Sequence, residues 1–248
     1  MLTLTDTITI DVPGSSSMTG YRARPADRRP RGAVIVAMEL FGVSAHVRDA
    51  CERLAGSGLL AVAPDLYHRS SPGTELAADA AGRETGFALL EQLGPDEAVA
   101  DVAATMVHLV AEEVPLLGVL GLSVGGHVAY RAATRLPLPA VAMAYPGWLA
   151  GIDIALGRPT PTLAATPGVT ARMLLLFGAE DALVPADERA EIGAALTEAG
   201  VAHEIVTYDG LGHAFLCDRR TGYDRAGAED AWERILGFLD VPQDPPGD

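Results

Sequence analysis

Four stretches of this chain are apolar almost without interruption: "GAVIVAM" (32–38), "LLAVAP" (59–64), "PLLGVLG" (115–121) and "RMLLLFG" (172–178). A strand with one face in water alternates polar and apolar residues. A continuous, branched run suits a strand buried on both faces, and such strands belong to parallel sheets covered by helices. "LPAVAMAY" (138–145) and "HEIVTY" (203–208) are weaker members of the same set. Between the runs, helical spacing covers 46–57, 75–112 (one broken helix or two consecutive ones), 124–135, 186–199 and 222–239. Gly56, Gly58 and Gly200 fall where a helix end takes a left-handed residue. Residues 2–10 alternate as a half-buried strand does, and "MTGYRARPA" (18–26) can pair with them as a hairpin. The pattern predicts an α/β fold with a mostly parallel central sheet and helices on both faces. With no repeat and no interior linker, residues 1–248 read as one domain. The stretch 146–171 is then a long loop or small cap, and 241–248 a flexible tail.

Composition narrows the function. The formal net charge is −15, and all eighteen basic residues are arginine. Nucleic acid and anionic membranes need a basic face, so neither is expected as a partner. The absence of lysine excludes Schiff-base catalysis, pyridoxal phosphate anchoring and lysine-dependent phosphate binding. Cys51 and Cys217 make neither a disulfide framework nor a metal knuckle, and read as reduced thiols of a cytoplasmic protein. The opening "MLTLTDTITIDV" lacks the progression of a signal peptide, and no apolar stretch approaches a bilayer span. No cofactor or metal is expected, and the chain is expected to be a monomer or homodimer.

The segment "GVLGLSVGGH" (118–127) lodges a serine among glycines directly after an apolar run. Gly121 and Gly126 have the spacing of a phosphate-binding loop, but His127 and Val128 stand where that loop needs Lys and Ser/Thr. The same residues satisfy G-x-S-x-G, Gly121 to Gly125, in a strand–turn–helix context. Such a turn strains the backbone at Ser123 and lifts its hydroxyl above the sheet's carboxyl edge. The Val124 amide then opens the following helix, where an oxyanion is favoured.

A serine nucleophile needs a base, and the base needs an orienting acid. In α/β-hydrolases these follow in the chain order serine, acid, histidine. "GAEDALVP" (178–185) places Asp181 just past an apolar strand, with Glu180 beside it read as pointing elsewhere. "GLGHAF" (210–215) places His213 in a glycine-bearing loop after the last strand. His46, His68, His108, His127 and His203 show no metal-ligand spacing; His46 and His68 read as solvated or core imidazoles that could line the pocket.

On these residues the chain resembles the dienelactone hydrolase family of α/β-hydrolases over about 30–240. "MELFGV" (38–43) looks like the family's oxyanion segment, and "APDLYHRSSPGTEL" (63–76) is similar to its post-strand signature. The resemblance implies Leu40 as the oxyanion donor beside Val124. Well-known members carry cysteine at the nucleophile position, where this chain has Ser123, and use the nearby glutamate to make a thiolate. A serine cannot be ionised in advance that way. Glu39 is therefore expected to order its loop or to position substrate or water. The family's dienelactone enzymes hold a substrate carboxylate with two arginines. Arg83 matches the first and the second falls on Cys217; Arg219 and Arg220 are close enough to substitute for it, but read first as solvated surface charges. The expectation is a serine hydrolase of a carboxylic ester or lactone in a pocket shaped by Tyr145, Trp148 and the 146–171 segment. With the second arginine missing, a neutral or larger substrate is at least as fitting as an anionic dienelactone, and the charge of the substrate stays open. Acyl transfer or ring formation by the same triad, and a non-catalytic ligand-binding protein on this fold, are the alternatives.

Overall fold

The computed structural model describes residues 2–240, so the expected tail at 241–248 lies outside the described residues. Eight strands form one sheet in the order β1-β2-β4-β3-β5-β6-β7-β8. They are β1 (Thr3–Ile10), β2 (Met18–Pro25), β3 (Ala33–Ala37), β4 (Leu60–Pro64), β5 (Leu116–Leu122), β6 (Ala140–Ala144), β7 (Arg172–Gly178) and β8 (His203–Tyr208). β1 and β2 make the expected antiparallel hairpin, and β2 joins β4 antiparallel. From β4 through β8 every pairing is parallel. Every residue of β3, β4 and β6 is buried, as continuous apolar runs require. The weaker "HEIVTY" run forms the edge strand β8, which is only partly covered.

Six helices cross between the strands: α1 (Ala45–Gly56), α2 (Ala80–Leu90), α3 (Pro95–Ala111), α4 (Val124–Ala133), α5 (Ala186–Glu198) and α6 (Arg225–Leu239). The stretch 75–112 resolves into two helices. Its first residues are not helical: Leu76 donates to the Phe41 carbonyl at 3.0 Å, and α2 waits for the Asp79 carboxylate, which accepts from the Gly82 amide. Pro95 at the first position of α3, preceded by Gly94, forces the new start. Helix α6 likewise opens only at Asp224, which caps the Gly227 amide at 2.7 Å. Gly58 and Gly200 take positive φ just past α1 and α5 as expected. Gly56 does not; it is the last residue of α1.

The 146–171 stretch folds into two short 3₁₀ segments, Ala155–Gly157 and Thr162–Gly168. Two buried hydrogen bonds tie it to α4, His127 to Thr162 at 2.8 Å and Tyr130 to Thr166 at 2.7 Å. Among the described residues no helix is long and apolar enough to cross a membrane. Because β3, β5, β6, β7 and β8 run in one direction, the loops after them open on one edge. Those loops carry Glu39, Ser123, Tyr145, Asp181 and His213.

Candidate active site

The turn from β5 to α4 is built for close approach. A Cβ at Gly121 would come within 2.5 Å of the Gly125 carbonyl oxygen, and one at Gly125 would run into the Ala37 carbonyl of β3. Only glycine lets strand and helix meet this tightly. Ser123 between them has φ 53° and ψ −115°, and its amide donates to the Ala144 carbonyl at 3.0 Å. That left-handed backbone turns the hydroxyl away from the sheet.

The Ser123 hydroxyl meets Nε2 of His213 at 2.9 Å, and Nδ1 of His213 meets Oδ2 of Asp181 at 2.7 Å. With Asp181 ionised, Nδ1 carries the proton and Nε2 is free to accept from the serine. Asp181 is 2% exposed, and its other oxygen accepts from the Leu183 amide at 2.9 Å. Among the described residues Glu180 makes no side-chain hydrogen bond, while its amide is tied to the Leu211 carbonyl. The structure thus places Asp181, not its neighbour, on the imidazole.

Strain gathers around this line. Five non-glycine residues among those described have positive φ, and four of them are Ser123, Tyr145, Trp148 and Ala214. Each such conformation costs about 1–3 kcal/mol and persists only where the surroundings enforce it. Ala214 directly follows His213, and Trp148 lines the cavity. Tyr145 was expected to shape the pocket from within, but it is fully buried and absent from the cavity wall. Its left-handed backbone swings the ring under the imidazole of His213, centroid to centroid 4.8 Å, with Phe215 packed behind at 5.7 Å.

The cavity over Ser123 is small, about 50 Å³. Phe87 and Trp148, edge to face at 6.1 Å, form one side. Leu40 and Val124 form another, and neither backbone N–H has a hydrogen-bond acceptor among the described residues. The Leu40 turn is held from two directions. The Tyr67 hydroxyl donates to the Leu40 carbonyl at 3.1 Å, and Gly86 of α2 lets that helix close onto Leu40, since a Cβ there would lie 2.7 Å from the leucine side chain. The tyrosine of "APDLY" thus helps to fix an amide of the site, a role that sequence reasoning missed because the two residues lie 27 positions apart.

Three charged side chains border the cavity: Glu39, Arg83 and Arg220. Arg83 occupies the expected place. Arg220 is half-buried rather than a solvated surface charge: it borders the cavity, with its guanidinium over the Phe41 ring at 5.4 Å. Arg219 does sit at the surface, paired with Asp49. Neither Arg83 nor Arg220 has a carboxylate within ion-pairing distance among the described residues. Glu39 is buried, with Oε1 3.4 Å from the Ser44 hydroxyl and Oε2 without a partner among the described residues. His68 is a core imidazole between Ser16 and Asp101. His46 lies on α1, away from the Ser123 cavity. His127 is buried in α4 and bonded to the Gly147 carbonyl.

A mostly parallel sheet with a strained serine turn after β5, a carboxylate after β7 and an imidazole after β8 is the α/β-hydrolase fold. Within it, the chain belongs to the dienelactone hydrolase family, whose sequence profile matches residues 18–241, and it is a hydrolase acting on ester bonds. A "Putative carboxymethylenebutenolidase" of Synechocystis sp. is 33% identical over 239 residues, spanning 92% of this chain and 94% of its own. A protein of the same name from Escherichia coli (strain K12) is 34% identical over 226 residues, spanning 90% and 82%. The crystal structure of a "Putative Dienelactone Hydrolase" from Klebsiella pneumoniae subsp. pneumoniae superposes with a TM-score of 0.82 at 30% identity, covering 95% of this chain and 98% of that one.

Proposed function

We propose that the chain hydrolyses a small carboxylic ester or lactone through an acyl-enzyme on Ser123. The observation that carries this reading is the unbroken hydrogen-bonded line Ser123–His213–Asp181 at the carboxyl edge of the sheet. His213 Nε2 takes the Ser123 proton as the oxygen attacks the carbonyl, and Asp181 stabilises the imidazolium that forms. The carbonyl oxygen, now anionic, is met by the free amides of Leu40 and Val124. His213 returns the proton to the departing alkoxide, which in a lactone stays tethered to the acyl group. Water, deprotonated by the same imidazole, then attacks the ester of Ser123 and releases the acid.

The cavity wall bears on the substrate. Arg83 and Arg220 offer two guanidinium groups with no carboxylate partner among the described residues, which favours an ester or lactone carrying a carboxylate. The chain's curated relatives are named for carboxymethylenebutenolidase, in keeping with such a substrate. The arginine expected at position 217 is thereby replaced from three residues further on. Neither a bound cofactor nor a metal enters any step. The reading takes the chain as one domain working in the cytoplasm.

Steady-state hydrolysis of p-nitrophenyl acetate tests the proposal. Ser123→Ala and His213→Ala should each lower kcat by at least ~10⁴-fold. Turnover within tenfold of wild type in either variant would refute it.

A further inference from the structure

A second cavity, of about 210 Å³, shares Glu39, Phe41 and Arg220 with the catalytic cavity and is lined beyond them by Ser44, His46 and Cys217. The catalytic cavity, about 50 Å³, is about a quarter the size of the second. A substrate with a long acyl or alcohol chain has the second cavity next to it to extend into. Among the described residues, two polar atoms on the wall residues of the second cavity have no hydrogen-bond partner, Oε2 of Glu39 and Nε2 of His46, and both side chains are more than nine-tenths buried. A buried carboxylate oxygen left unpaired is costly, and such groups in native proteins call for an explanation.

The proposed reaction does not supply one. His213 is already the base, and a serine gains nothing from the second carboxylate that would ionise a thiol. The charges around the second cavity indicate its guest. Arg219 is held by Asp49 and Glu75 by Arg48, and Arg220 is shared with the catalytic cavity, where the reading above gives it to a substrate carboxylate; that leaves the Glu39 carboxylate to meet the guest of the second cavity. Burial lowers the pKa of His46, so its imidazole is neutral and can donate or accept. This lining suits a neutral group with a proton to give rather than an anion.

We infer that the second cavity is a subsite of the same active centre for a neutral, hydroxyl-bearing arm of the substrate, with Glu39 accepting a hydrogen bond from that hydroxyl and so determining specificity. The inference rests on the ester-hydrolase reading above. It makes Glu39 a reader of substrate rather than an activator of Ser123.

The test compares matched pairs with and without a hydroxyl: p-nitrophenyl 6-hydroxyhexanoate against the hexanoate, and 4-hydroxybutyl acetate against butyl acetate. At least one pair should show a tenfold or greater preference for the hydroxylated member in kcat/KM, carried mainly by KM, and Glu39→Gln should cut it to within about twofold. Flat ratios in the wild type, a preference that survives Glu39→Gln, or an equal fall in kcat for both members of each pair would overturn the inference. If the wild type hydrolyses none of the four, the hydrolase reading fails separately. The subsite is then judged by tryptophan fluorescence. Tenfold tighter binding of hexane-1,6-diol than of 1-hexanol, lost in Glu39→Gln, supports it; equal affinities overturn it.

Discussion

At Ser123 one residue meets three demands at once: a left-handed backbone, a glycine two positions away on either side, and a hydroxyl within 2.9 Å of an imidazole. The first two could be read from "GLSVGG" because they are local. Asp181 and His213 were legible for the same reason, each in a short loop after an apolar strand, and parallel topology brings both loops to one edge. Tyr145 was misread, and Arg220 could not be told from a surface charge, because their direction depends on backbone that no local pattern announces. Arg220 is turned inward by consecutive tight turns, Cys217 onto the Ala214 carbonyl and Arg220 onto that of Cys217. Tyr145 is turned inward by its own φ of 45°. If Arg220 holds a substrate carboxylate, Arg220→Gln should raise KM at least tenfold for a carboxylate-bearing ester and much less for its neutral methyl ester. Equal effects on both, measured by initial rates, would assign Arg220 to shaping Phe41 alone.

Among the elements, α4 links the site to the 3₁₀ segments beside it. Its His127 is completely buried, between the Gly147 carbonyl and the Thr162 hydroxyl, and burial pulls its pKa down to about 4. In the unfolded chain the imidazole titrates near its ordinary 6.5. Between those values the unfolded state binds the proton and the folded state does not. The stabilising contribution of neutral His127 is therefore complete above pH 6.5, falls as pH drops towards 4, and amounts to roughly 3 kcal/mol over that window. Denaturant unfolding at pH 7 and pH 4.5 should show a smaller acid loss in His127→Gln than in the wild type. Identical losses would mean that His127 does not couple α4 to this segment. The sequence placed His127 on the helix, but its partners lie 20 and 35 residues away in a stretch without periodicity, so the contact was not legible.

For the molecule as a whole, the apolar runs determine most of the architecture: parallel strands from β4 to β8, helices across both faces, and site loops on one edge. Where pattern gave way to contact, as in the helix starts at Ala80 and Arg225, capping by Asp79 and Asp224 decided the boundary. The fold joins Ser123 to an imidazole ninety residues away and that imidazole to an acid thirty-two residues before it. The site is thus a property of the assembled sheet, and chemistry at Ser123 reports on all of it. Reaction of the native protein with a fluorophosphonate, mapped by peptide mass spectrometry, tests this most directly. One adduct per chain on Ser123, lost in His213→Ala and after unfolding, is the predicted result; an unmodified Ser123 in the folded wild-type protein would contradict it.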